Sequence, residues 1–302
     1  MGVQAFRFEA WGGAAIAAAC ICLAVPDAVS AQAVDRAFTT TDGVRLHYIE
    51  AGPADGRTVV FVPGWTLPGR IFDAQIAALS DRWRVLALDP RGQGESQVAP
   101  FGYTAERRGR DIAELIDHAA PSGRVVLVGW SLGVLEILSM IGDRGQDRIA
   151  GLILIDNSVG EGPPPIVGAR TASPETLPDP AVRRARRAAF IDGLFAHDPG
   201  ADYRARLTES ALRMDPTDEA RLRVYDAPRE RWRDILHGVD RPVLYVVRPR
   251  LRDQANALTA ARPNVRAEIF TDAGHALFVD EPERFNALAA DFLTAADWDA
   301  PQ

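Results

Sequence analysis

The sequence predicts an α/β protein: a mostly parallel central sheet with helices on both faces and an inserted helical segment. Three observations carry that expectation. Short, almost wholly apolar runs alternate with segments of helical spacing, as strands buried on both faces and their crossover helices do. Several apolar runs end in tight Gly- or Pro-containing turns, among them Pro63-Gly64 and Asp89-Pro90-Arg91-Gly92. The stretch from about Asn157 to Asp240 breaks the alternation, with helical patterns and no strong strand.

In chain order, Val44 to Glu50 alternates apolar and polar residues like a half-exposed strand. Thr58 to Val62 (TVVFV) reads as a buried strand, Ile71 to Leu79 as a helix, and Arg84 to Leu88 as the next strand. Thr104 to Ala119 is an amphipathic helix, Arg124 to Val128 a strand, Leu132 to Met140 a helix and Gly151 to Ile155 a strand. The proline-rich GEGPPP segment from Gly160 to Pro165 then opens three helical stretches, Val182 to Phe195, Tyr203 to Met214 and Glu219 to Ile235. Strands resume at Pro242 to Val247 and Val265 to Phe270, and Glu281 to Thr294 is the last helix. The expected division is a core of residues 34–157 and 240–302 around an insertion of residues 158–239.

Residues 1–33 read as a signal peptide: Arg7, an apolar run from Gly12 to Val25, and an A-x-A site at Ala31-Gln32-Ala33. The competing reading is an uncleaved N-terminal anchor, although the run is short for a membrane span. Cleavage implies a periplasmic or secreted protein with no stable membrane insertion. Both cysteines, Cys20 and Cys22, lie in this segment, so the mature chain has no thiol for a disulfide, a Cys nucleophile or a thiolate metal site. The net charge of -7 argues against nucleic acid as a partner. The chain contains no Lys, which excludes Schiff-base chemistry and a P-loop lysine.

Two short motifs carry chemistry. Gly129-Trp130-Ser131-Leu132-Gly133 lies between a predicted strand and a predicted helix. In that context G-x-S-x-G reads as a nucleophile elbow, a turn that lifts the serine oxygen above the sheet. The alternative is an ordinary junction with a capping serine. A serine nucleophile needs a base within hydrogen-bond reach. Of the five histidines, His47, His118, His197, His237 and His275, only His275 is expected in a loop at the carboxyl end of a sheet strand. Ligands gather at that edge in open parallel sheets.

With these motifs the chain resembles the α/β-hydrolase superfamily, close to its esterases, lactonases and cofactor-free haloperoxidases. Val59 to Trp65 resembles the strand and loop that carry the oxyanion site, Asp89 to Ser96 the D-x-R-G-x-G-x-S turn, and the insertion falls where that family places a helical cap. The resemblance implies the α/β-hydrolase fold and acyl transfer on Ser131 with His275 as general base, needing no metal or organic cofactor. It implies an oxyanion hole formed by the backbone N–H groups of Trp65 and Leu132, with Pro63 standing where the family usually has His. Trp65 and Trp130 would flank the serine as pocket walls or as core residues. The family's usual acid site, after the strand matched by Pro242 to Val247, is empty: the loop reads Arg248-Pro249-Arg250-Leu251-Arg252-Asp253. Asp156, after the strand that follows the serine helix, is the candidate partner of His275, and Asp253 is the alternative. The implied ligand is a small ester-like molecule. A perhydrolase, a C–C hydrolase and a non-catalytic binding protein of the same fold remain as rival readings. The Arg-rich run Arg183, Arg184, Arg186 and Arg187 reads as a solvated helix face rather than a binding site for an acidic group.

Overall fold

The computed structural model describes residues 33–162, 179–224 and 227–299. All of the expected signal peptide except residue 33 lies outside them, as do residues 163–178 of the expected insertion.

The described chain opens on a hairpin of β1 (Val34–Thr39) and β2 (Arg45–Ala51). β3 (Thr58–Val62) leads through a 3-10 turn at Gly69–Phe72 into α1 (Asp73–Leu79). β4 (Arg84–Asp89) precedes α2 (Ala105–Ala119), whose first turn is capped by the Thr104 hydroxyl. β5 (Val125–Trp130), α3 (Leu132–Arg144) and β6 (Ile149–Ile155) follow. Between β6 and the next strand the described residues form α4 (Pro180–Asp192), α5 (Ala201–Ala211), α6 (Pro216–Arg221) and α7 (Arg229–His237). The sheet resumes with β7 (Val243–Val247), a 3-10 turn at Pro249–Leu251 and α8 (Arg252–Ala261). β8 (Val265–Ile269), α9 (Leu277–Asp280) and α10 (Pro282–Ala295) complete it.

The eight strands form one sheet in the order β1-β2-β4-β3-β5-β6-β7-β8. The β1/β2 and β2/β4 pairs are antiparallel and all others parallel. The mostly parallel sheet expected from the alternating pattern is therefore present. β3, β5, β6 and β7 are buried along their whole length, which explains why they read as unbroken apolar runs. β1 escaped the sequence reading because only one of its six residues is buried. The helical stretch expected over Glu219 to Ile235 is two helices, divided ahead of α7 at Pro228, which has no N–H to continue a helix.

Successive residues of each central strand feed opposite faces. In β5, Val125 and Leu127 pack with Ile112, Leu115, Val134 and Leu138 on one side. Val126, Val128 and Trp130 pack with Ile76, Phe278, Phe285 and Leu293 on the other. The helices between β6 and β7 join both layers: Trp232 and Leu236 of α7 enter the first cluster, Ile191 and Leu207 of α4 and α5 the second.

The turn after β4 is pinned by buried charge. Asp89 accepts hydrogen bonds from the Gly69 N–H at 2.6 Å, the Glu95 N–H at 2.7 Å and His47 Nδ1 at 2.8 Å. Arg91, fully buried, forks onto Asp111 with two bonds of 2.7 Å and reaches Asp42 at 3.1 Å. Asp111 also accepts from Arg107 at 2.8 Å, so removing Arg91 leaves its buried charge with one guanidinium partner instead of two. Arg91→Met is therefore expected to lower unfolding stability by roughly 1–3 kcal/mol in denaturant titration.

Candidate active site

Ser131 sits between the last residue of β5 and the first of α3. Its backbone lies at φ 53°, ψ -118°, a region that L-residues adopt only when their surroundings impose it. Several contacts impose it here. The Ser131 N–H donates to Ile155 O at 2.9 Å, and Ser131 O accepts from Asn157 Nδ2 at 2.7 Å and from the Val134 N–H at 3.1 Å. Behind the serine, Gly133 packs so closely on the end of β3 that a Cβ there would lie 2.4 Å from Val62 O. The Ser131 side chain does not cap α3. Its Oγ is instead 2.8 Å from His275 Nε2.

His275 lies in the loop after β8, and the other face of its ring system is fixed by Asp156: Nδ1 donates to Asp156 Oδ2 at 2.6 Å. Trp130 holds the loop itself, donating from Nε1 to His275 O at 2.8 Å, with its ring 5.1 Å from the imidazole. Asp156 is the first residue past β6, at the left-handed φ of 45°, with its N–H bonded to Val246 O at 2.8 Å. Its carboxylate has no solvent exposure. Burial alone pushes that carboxyl up, but the hydrogen bond and charge of His275, with Arg248 and Arg250 close by, outweigh burial and hold it at about 2. For His275, burial pushes the imidazole down and Asp156 pulls it up. Arg248 and Arg250 oppose Asp156, and the net position is below the ordinary 6.5.

The loop after β3 runs directly beside the serine, since a Cβ on Gly64 would lie 3.1 Å from Ser131 Cβ. The buried Gln93 side chain brackets Trp65 from both sides. Its Nε2 donates to Gly64 O at 3.1 Å and to Leu67 O at 2.6 Å, while its Oε1 accepts from the Thr66 N–H at 3.1 Å. Arg108 fixes the orientation of that amide by donating to Oε1 at 2.9 Å and pairs with the buried Glu136 at 2.9 Å. Among the described residues, the backbone N–H groups of Trp65 and Leu132 donate to no backbone or side-chain acceptor.

The structure thus brings Ser131, His275 and Asp156 into one hydrogen-bonded array, with the loop carrying Trp65 and the first residue of α3, Leu132, on the serine's flank. Asp253 is exposed in the first turn of α8 and does not reach His275. The two tryptophans differ. Trp130 is a core residue, 1% exposed. Trp65 is half-buried against Tyr103, Leu132, Met214 and Leu222. The Arg-rich run is not a uniformly solvated face: Arg184 is exposed, but Arg187 is buried, stacked 4.4 Å over Trp65 and bonded to Thr66 Oγ1 at 3.1 Å and Glu219 at 2.6 Å. The sequence reading missed Asn157, Gln93, Arg248 and Arg250 as site residues. Two arginines in the loop where an acid was expected were the one available signal.

The sequence profile of the alpha/beta hydrolase family matches residues 59–288. The chain is 28% identical to a non-heme haloperoxidase of Rhodococcus erythropolis over 287 residues, covering 84% of this chain and 98% of that one. Among solved structures it resembles the esterase RhEst1 from Rhodococcus sp. ECU1013, with a TM-score of 0.72, 21% identity, and 86% and 98% of the two chains covered. It also resembles a bromoperoxidase from Bacillus anthracis, with a TM-score of 0.71, 23% identity, and 86% and 100% covered. These two likenesses establish the fold.

The packing behind the serine is testable without any substrate. Gly133→Ala places a methyl group against Val62 O and is expected to lower stability by about 1–3 kcal/mol in thermal or denaturant unfolding. Ala at an unconstrained helix position would instead be neutral or stabilising.

Proposed function

The chain belongs to the alpha/beta hydrolase family, and we propose that it is an exported serine hydrolase that cleaves a small carboxylic ester or lactone through an acyl-enzyme intermediate. The observation that carries this reading is the continuous array from Ser131 Oγ through His275 to Asp156, with links of 2.8 and 2.6 Å. That spacing lets neutral His275 take the serine proton at Nε2 as Oγ attacks the ester carbonyl. The tetrahedral oxyanion would lie between the Trp65 and Leu132 N–H groups, with the N-terminus of α3 adding favourable field. His275 then returns its proton to the leaving alkoxide, which breaks the C–O bond and leaves the acyl group on Ser131. Water activated by the same imidazole releases the carboxylic acid. Asp156 keeps the Nδ1–H tautomer aimed and stabilises the transient imidazolium. Export rests on the signal-like pattern of residues 1–33.

The haloperoxidase name of the Rhodococcus relative supports a second reading on the same array. Hydrogen peroxide would replace water in the second step, giving a peracid and free Ser131. Peracid formation from the same acyl-enzyme, measured with and without peroxide, separates the two. A non-catalytic binding protein is distinguished by a fluorophosphonate probe, which is expected to label Ser131; absence of labelling would sink the hydrolase reading.

Asp156→Asn is expected to lower kcat about 10³–10⁴-fold on p-nitrophenyl esters by presenting the wrong tautomer to Ser131. Asp253→Asn is expected to leave kcat unchanged, and the reverse result would overturn the assignment.

The pH profile follows from the sign of the His275 shift. Because the imidazole sits below 6.5, the neutral base persists into mildly acidic solution. The acid limb of kcat/KM is therefore expected below pH 6.5, and a limb above that value contradicts it.

A further inference from the structure

The loop after β7 holds two arginines where the resemblance led us to expect an acid. β6 and β7 are neighbours, with Ile155 paired to Val246, so the residues just past each strand end meet side by side. Both carboxylate oxygens of Asp156 are engaged there by one residue. The Arg248 N–H donates to Oδ1 at 3.1 Å, and Arg248 Nε donates to Oδ2 at 2.7 Å, the same oxygen that His275 uses at 2.6 Å. Arg250 stands further out, 3.6 Å from Oδ2 and about half exposed.

We propose that Arg248 is a positioning residue for the Ser131–His275–Asp156 array: it clamps the Asp156 carboxylate from the neighbouring strand end and keeps the pair as ionised carboxylate and neutral imidazole. This rests on the serine-hydrolase reading for its effect on turnover, but not for its effect on His275. A carboxylate can pivot about its Cβ–Cγ bond, and one bond to His275 leaves that pivot free. The two Arg248 donors remove it, which fixes the direction of the Nδ1–H bond and hence of Nε2 towards Ser131. The guanidinium charge also opposes a second cation nearby, so protonating the imidazole becomes harder.

Among the described residues, the charged groups around the ring are few. Asp156 comes from the end of β6, and Arg248 and Arg250 from beyond β7. The elbow contributes neutral Ser131 and Trp130. The segment after α4 contributes backbone, with the Ala276 N–H bonded to Leu194 O. Asp280 of α9 faces the other side of the loop, accepting from the Gly274 N–H at 2.7 Å.

The test is an NMR titration of the His275 imidazole in wild-type protein, Arg248→Gln, Arg248→Lys and Arg250→Gln, with steady-state kinetics on the same four. His275→Gln identifies the resonance among the five histidines. Arg248→Gln is expected to move the titration upward by about one unit and to lower kcat about tenfold with KM little changed. Arg248→Lys keeps the charge and the backbone N–H to Oδ1 but not the Nε–H to Oδ2, so it should restore the titration while kcat stays low. Arg250→Gln should move the titration less than Arg248→Gln does. An unchanged titration in Arg248→Gln overturns the proposal, as does an equal or higher kcat, or a loss that appears only in KM. If Arg248→Gln does not fold, the kcat-against-titration split in Arg248→Lys decides alone. Failure of a fluorophosphonate to label wild-type Ser131 would remove the hydrolase reading, and the titration would still decide whether Arg248 governs His275.

Discussion

A carboxylate without solvent contact lies at the end of β6, and the arrangement around Ser131 depends on keeping it charged. Burying an unpaired aspartate costs several kcal/mol, enough to protonate it instead. Asp156 escapes this because its oxygens accept from His275 and from both the side chain and the backbone of Arg248. A protonated Asp156 would be a poor acceptor for Nδ1–H and would leave the imidazole free to rotate off Ser131. The position of β7 beside β6 is therefore as much a part of the site as the serine turn, since the register of those strands delivers Arg248 to Asp156.

The second dependence runs through the loop after β3. Where the resemblance suggests a histidine that would bond within this loop, the buried Pro63 has no side-chain donor or acceptor to do so. Gln93 supplies the bonds from the neighbouring turn, holding Gly64, Thr66 and Leu67 with one amide. That amide is itself oriented by Arg108, so the geometry around the Trp65 N–H traces back to a buried pair between α2 and α3. Thr66 lies at φ 63°, and a non-glycine residue held there shows that the loop is shaped by its partners rather than by local preference.

Much of the fold was legible because a parallel sheet leaves a strong record: strands buried on both faces carry few polar residues, and their runs are short and bounded. β1 left no such record, because an exposed edge strand places few demands on its residues. The Ser131 and His275 positions were legible for a related reason. Each lies at a carboxyl strand end in a turn whose neighbours must be small. Asp156 could be placed ahead of Asp253 because the usual acid site was empty and Asp253 falls where the first turn of a helix commonly takes an acid. What brings Asp156 to His275 is the placing of the β6 end beside β7, a fact of tertiary register. Gln93, Asn157 and Arg248 were illegible for the same reason: each is an ordinary polar residue in sequence and acquires its role from a partner 26 to 92 positions away.

The helices between β6 and β7 are tied to the same loop as the serine's flank. Trp65 Nε1 donates to Glu219 O at 2.8 Å, and Arg187 lies over its ring while bonding Thr66 and Glu219. Arg183 pairs with Glu219 as well. Two guanidinium groups share one carboxylate, and Arg187 is pushed down first by burial, then by the nearby cations Arg183 and Arg223 against the pull of Glu219. Such a cluster is held by packing on Trp65 as much as by charge balance. Any movement of α4 or α6 must therefore act on residues 65 and 66, and so on the Trp65 amide proposed to hold the oxyanion. In this chain α4 and α6 cannot shift independently of the loop beside Ser131, because Trp65 and Thr66 are bonded or stacked to both of those helices.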